Sequence, residues 1–277
     1  MSASATITDV LAGRAQWAVV CADNRTAMAS LPPGCVDHVI TDPPYSEHVH
    51  GKQRRLAVGA GSKRRSEDGK GHVVVAAALG FESLDPVHRV LCAQNFGRIV
   101  KRWALVFSDL ESTEAWLSDL VAGGMRRWRF GIWNKLNCQP QLSGTGPGAG
   151  SDGIAIAHSV KAMRWNGGGL PARWDFAIAT DRNGNERVHT TQKPEPLMLR
   201  LVELFTDPGD LVLDPFAGSG TTGVACIRLN RRCILIERDE KYAAIARERL
   251  AAESRGLSLT AARAGQTSLF DVIGATK

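Results

Sequence analysis

The stretch "LVLDPFAGSGTTG", residues 211–223, constrains this chain more than any other part of it. A short apolar run ends on Asp214, and a helical pattern starts near Thr221. Between and just beyond them Gly218, Gly220 and Gly223 keep the G-x-G-x-x-G spacing. Glycines here let a ligand lie against the backbone, and the helix start offers it unpaired N–H groups. The next apolar run, "CILIE", ends at Glu237, 19 residues beyond Gly218, where a carboxylate can accept hydrogen bonds from a ribose. Strand, loop, helix and strand in this order predict an α/β chain with a mostly parallel sheet covered on both faces.

Nicotinamide dinucleotides and S-adenosylmethionine both carry such a ribose, and chain length separates them. Only 40 residues follow Glu237, too few for the further strands a nicotinamide domain needs. The rest of the sheet must come from the N-terminal side. Strands are expected at 18–21, 36–41, 103–107, 129–133, 154–157 and 176–179, with helices over 194–205, 221–229 and 240–252. The strand ending at Asp42 can then lie beside the strand ending at Asp214, so that both open onto one crevice. Asp42 is followed by Pro43 and Pro44, two stiff positions that no strand interior accommodates, and then by the aromatic ring of Tyr45.

Charge narrows the partner. The chain carries a net +6, and from Gly51 to His72 seven basic residues face only Glu67 and Asp68. Lys52, Arg54, Arg55, Lys63, Arg64 and Arg65 belong to this Gly-rich loop, which suits a grip on phosphates. Cys21, Cys35, Cys92, Cys138, Cys226 and Cys233 are scattered, with no C-x-x-C pair, so reduced thiols and no metal are expected. No apolar run approaches the ~18 residues of a membrane span, and the first residues lack the apolar centre of a secretory signal. A cytoplasmic protein without membrane contact is the expectation.

"DPPY" at 42–45, "HTTQKP" at 189–194 and "DPFAGSGTT" at 214–222, in that chain order, resemble the β-group DNA amino-methyltransferases. The resemblance covers roughly 17–45 and 186–252. It implies S-adenosylmethionine-dependent methylation of adenine N6 or cytosine N4 in double-stranded DNA. It also implies one catalytic domain over 1–277, a doubly wound Rossmann-like methyltransferase sheet, circularly permuted so that the catalytic half precedes the cofactor half. By this resemblance Asp42, Pro43, Pro44 and Tyr45 are catalytic. Asp23, Asp42, Thr190, Gln192, Lys193, Asp214, Pro215, Phe216, Gly218, Ser219, Gly220, Thr221, Thr222 and Glu237 line the cofactor, with Lys193 near its carboxylate. Asp42, where many cytosine N4 enzymes have serine, favours adenine.

An exocyclic amine is a poor nucleophile because its lone pair is delocalised into the ring. A carboxylate on Asp42 and the Pro43 carbonyl can each accept one N–H and localise that pair, while Tyr45 offers a face for a base taken out of the duplex. A segment over 163–187 is expected to read sequence, with Arg164, Arg173, Arg182 and Arg187 on base edges or phosphates, and Trp165 and Trp174 in the core. A homodimer is expected from relatives. In the tail at 254–277, Gln266, Leu269 and Phe270 are spaced like peptides that dock on the bacterial replication clamp, although an apolar tail packing on its own domain explains them as well. Other classes stay open at this point. A nicotinamide oxidoreductase leaves "DPPY" and "TQKP" unexplained, and a DNA-binding protein without catalysis leaves Asp42 and Tyr45 unexplained.

Overall fold

The computed structural model describes residues 5–45, 84–138, 146–159, 164–179 and 192–266. They build one eight-stranded sheet with the order β1-β8-β7-β2-β3-β5-β4-β6. The strands are β1 (Trp17–Cys21), β2 (His38–Thr41), β3 (Trp103–Ser108), β4 (Arg126–Lys135), β5 (Ser151–His158), β6 (Arg173–Phe176), β7 (Leu211–Asp214) and β8 (Arg232–Glu237). All neighbours are parallel except β5, which runs against both β3 and β4.

Burial on both faces explains the near-continuous apolar strands. In β3, Leu105 and Phe107 join one core with Ile40, Val212 and Leu235, whereas Ala104 and Val106 join the other with Val39, Leu213 and Ile234. Helices α5 (Glu195–Phe205), α6 (Thr221–Arg228) and α7 (Glu240–Glu253) cover the first face through Leu197, Leu201, Val224 and Leu250. Helices α1 (Ile7–Leu11), α2 (Asn24–Ala29), α3 (Pro86–Ile99) and α4 (Thr113–Ala122) cover the second through Val10, Met28, Phe96 and Leu117. A short α8 (Leu259–Arg263) follows α7.

The expected α/β sheet is therefore present, with the strand before Asp42 earlier in the chain than the strand before Gly218, and adjacent to it in space. Two differences have physical causes. The strand expected at 176–179 is found at Arg173–Phe176, because the ladder with β4 stops where β4 ends at Lys135. Beyond it Ile178 N donates to the Asn137 side chain instead of to a strand. Helices α3 and α4 were not expected at all. In α3 the buried Cys92, Ala93, Phe96 and Ile99 alternate with exposed Val87 and Leu91, so no clean apolar stripe marks it. Its start is marked all the same: Asp85 caps the His88 N–H and Pro86 opens the first turn.

Candidate active site

Because every strand but β5 is parallel, the last residues of seven strands and the first residues of β5 reach one rim of the sheet. Along it stand Asp23 after β1, Glu237 of β8, Asp214 of β7, Asp42 after β2, Asp109 after β3, Lys135 of β4 and Asp152 of β5. This is where ligands enter such sheets.

Asp214 braces the rim rather than facing outward. Its carboxylate accepts from Thr41 Oγ1 at 2.7 Å, Thr222 Oγ1 at 2.6 Å and the Phe216 N–H at 3.1 Å. It thereby ties the end of β2 to the glycine loop and to α6. Burial raises its carboxyl to about 6 in spite of those three donors.

The loop itself needs its glycines. Gly218 and Gly220 have φ of +51° and +85°, left-handed values that side chains rarely adopt. A Cβ on Gly218 would meet nothing within 4 Å, so its outer side is open, whereas one on Gly220 would stand 3.0 Å from Ala246 of α7. Glu237 holds the loop: Oε2 accepts from the Gly218 N–H at 2.8 Å and Oε1 from the Asp239 N–H at 2.9 Å. A carboxylate has about four acceptor positions, so two stay available for hydroxyl groups. Buried Arg249 donates to the Ser219 carbonyl at 2.8 Å and fixes the loop from behind.

Consecutive residues of "TQKP" join the two halves of the rim. Ser219 Oγ donates to Gln192 Oε1 at 3.3 Å, while Lys193 Nζ donates to Asp42 Oδ2 at 2.5 Å. The Lys193 ammonium also lies 5.1, 5.3 and 5.8 Å from the ring centroids of Tyr45, Phe107 and Trp133, a box suited to a cation. Lys193 therefore sits on Asp42 here. The other Asp42 oxygen, Oδ1, is enclosed without a hydrogen-bond partner. Burial raises the Asp42 carboxyl above its ordinary value, and Lys193 pulls it back down. An enclosed, unpaired carboxylate oxygen is a ready acceptor for an N–H.

Beside the glycine loop the sequence reading missed a second group. Asn24 Nδ2 donates to the Pro215 carbonyl at 3.1 Å, its Oδ1 is 2.8 Å from His88 Nε2, and the His88 ring lies 5.9 Å from Phe216. Asp23 caps α2 through the Arg25 and Thr26 N–H groups and pairs with the Arg25 guanidinium at 2.7 Å. That hydrogen-bonded guanidinium holds the Asp23 carboxyl down at about 2.

Other expected residues are not brought here. Arg164 pairs with Asp207 at 3.3 Å near Arg102, at the opposite rim of the sheet, and Arg173 pairs with its neighbour Asp175 at 2.7 Å. Trp174 is a core residue and the partly buried Trp165 packs on the same core, their rings 6.2 and 4.8 Å from that of Phe205. Lys52, Arg54, Arg55, Lys63, Arg64, Arg65, Arg182, Arg187, Thr190, Leu269 and Phe270 lie outside the described residues. All six cysteines are free thiols.

Residues 124–248 match the family described as DNA methylase. The chain is 42% identical over 99 residues to the type II methyltransferase M.HpaI of Haemophilus parainfluenzae, a match spanning 35% of this chain and 31% of that protein. Less than a third of that relative's length is thus matched. The fold is that of M1.HpyAVI, solved as a complex with SAM (TM-score 0.60, 22% identity, 84% of this chain and 100% of that one). It is equally that of the PvuII DNA methyltransferase, described as cytosine-N4-specific (TM-score 0.62, 16% identity, 84% and 86% covered). The resemblance read from the three motifs is borne out by these matches.

Proposed function

Taking a match to the DNA methylase family over residues 124–248 as the premise, we propose that this chain transfers a methyl group from S-adenosylmethionine to adenine N6 in double-stranded DNA. The observation that carries the reading is Asp42 Oδ1, an enclosed and unpaired acceptor on the rim that the glycine loop shares. The residues fit the cofactor: Gly218 leaves open space where a side chain would stand, Glu237 keeps acceptor capacity, and Gln192 reaches the loop through Ser219. When bound, S-adenosylmethionine supplies an electrophilic methyl on its sulfonium.

The chain's own residues do the rest. Asp42 Oδ1 and the Pro43 carbonyl each accept one N–H of the target amine, which localises its lone pair and aims it across the rim. The two prolines fix those acceptors in advance, so that little reorganisation is needed when the base arrives. Tyr45 stacks on the base, which must leave the duplex to reach a buried acceptor. Lys193 balances the Asp42 charge through Oδ2, leaving Oδ1 for the amine and, after transfer, for the proton it releases.

Lys193 serves Asp42 in this reading rather than the cofactor carboxylate alone. The basic loop at 51–72 supplies the phosphate grip, and its net charge supports this. A second copy completes the DNA-binding surface, since among the described residues of 163–187 Arg164 and Arg173 are held by Asp207 and Asp175 away from the rim. Free thiols and the lack, among the described residues, of a helix long and apolar enough to cross a membrane support a cytoplasmic setting. Docking of Gln266, Leu269 and Phe270 on a sliding clamp rests on their spacing alone.

Incubation of unmethylated DNA with labelled S-adenosylmethionine, followed by mass spectrometry of the nucleosides, tests the whole. N6-methyladenine is expected. N4-methylcytosine would change the target, and no labelled nucleoside would end the proposal.

A further inference from the structure

Resting on the stacking role given to Tyr45, we infer that Asp152 and Lys135 form the positioning unit that sets the plane of the Tyr45 ring. Tyr45 lies four residues beyond the end of β2, in a stretch without strand pairing, where a ring can swing about its own side-chain bonds. Its hydroxyl is anchored instead, donating to Asp152 Oδ2 at 2.7 Å, while Asp152 Oδ1 accepts from Lys135 Nζ at 2.5 Å. With Lys193 over the ring at 5.1 Å, the hydroxyl end and one face are both held.

The anchor is rigid for reasons that can be traced. Asp152 pairs with Trp133 across the β4–β5 ladder, and Lys135 N donates to the Gly150 carbonyl at 2.8 Å. The next residue, Gly153, is pressed so closely on α4 that a Cβ there would come within 2.0 Å of Thr113 Oγ1. Only 7% of the Asp152 side chain and 17% of the Lys135 side chain are exposed. A buried ion pair adds little net stability over an apolar pair of similar volume. Its use here is orientation: a carboxylate that cannot move fixes a ring that could. Tyr45 must stay protonated to donate, and burial together with the charges of Asp42 and Asp152 pushes its phenol well above the ordinary value.

Neither Lys135 nor Asp152 lies in the three motifs, and both act through Tyr45 rather than on the reacting atoms. The inference predicts that the hydroxyl and the carboxylate act as one unit. Single-turnover methyl transfer to unmethylated plasmid DNA is measured for the wild type, Tyr45→Phe, Asp152→Ala, Asp152→Asn and the double variant Tyr45→Phe/Asp152→Ala. Each of Tyr45→Phe and Asp152→Ala should slow transfer about tenfold, the value of one lost hydrogen bond. The double variant should be no more than about twofold slower than the worse single, as coupled residues behave. Asp152→Asn, which keeps an acceptor, should recover most of the rate.

Equilibrium binding of labelled S-adenosylmethionine should stay unchanged throughout, which separates lost orientation from a disturbed fold. If Asp152→Ala does not fold, Tyr45→Phe with and without Asp152→Asn gives the same comparison, and the two rates should coincide. Wild-type rate in Tyr45→Phe, or losses that multiply in the double variant, would overturn the inference. Absence of any transfer by the wild-type protein would instead overturn the function on which it rests.

Discussion

Lys193 Nζ lies 2.5 Å from Asp42 Oδ2, joining residues 151 positions apart in the chain. One position earlier, Gln192 accepts from Ser219 of the glycine loop. Two adjacent residues of one segment thus touch Asp42 and the glycine loop, on the two halves of the rim. This arrangement makes each partner's contribution separable by substitution.

Asp42→Ala should leave cofactor binding intact and slow methyl transfer by roughly a hundredfold to a thousandfold, the scale for losing one preorganised polar group. Cofactor titration and initial rates on the same preparation decide it. Full turnover by the variant would remove Asp42 from the mechanism.

Lys193→Met should make activity more sensitive to acid. Burial raises the Asp42 carboxyl and Lys193 lowers it, so removing the ammonium raises it further and protonates the acceptor at higher pH. The acid limb of kcat/KM should move to higher pH, with partial recovery in alkaline buffer. Lys193→Arg should keep the limb near its original place. An unmoved limb in Lys193→Met would show that Lys193 does not support the Asp42 charge.

Glu237→Ala should weaken S-adenosylmethionine binding about tenfold to a hundredfold, because it removes both the proposed ribose acceptor and the brace on the Gly218 N–H. Equilibrium dialysis with labelled cofactor measures this. Unchanged affinity would place the ribose elsewhere.

Asp214→Asn tests the buried brace through stability. The folded-state carboxyl sits at about 6 instead of 3.8, so the folded form binds this proton more tightly than the unfolded one. Stability from this group is therefore fully present below about pH 4 and lost as pH rises through about 6. Asparagine carries no such charge. Relative to the wild type, the variant should gain roughly 2 kcal/mol between pH 4 and pH 7. Urea unfolding of both proteins at the two pH values is the check, and parallel behaviour would show that Asp214 does not titrate in this window.

What the sequence made legible is what depends on near neighbours. The glycine loop, the strand before it and the acid closing β8 fall within 27 residues, and periodicity places all of them. Asp42, Pro43, Pro44 and Tyr45 are visible because two prolines after an apolar run have few structural uses. The Asp42–Lys193 contact and the Tyr45–Asp152–Lys135 chain were not legible, since no local pattern tells which strands become neighbours. His88 could have been found: Asp85 followed by Pro86 is a helix-start signal, and a helix there brings His88 towards Asn24. The placement of Arg164 and Arg173 was not legible either, because positive charge says nothing about which end of the sheet a residue occupies.

The reversed direction of β5 has a wider consequence. Rules that look for chemistry where parallel strands leave the sheet examine exits only, yet here a buried carboxylate arrives at an entrance. In sheets with one inverted member, the inventory of candidate polar groups should include the opening residues of that member. Asp152 would be overlooked by any survey confined to strand ends.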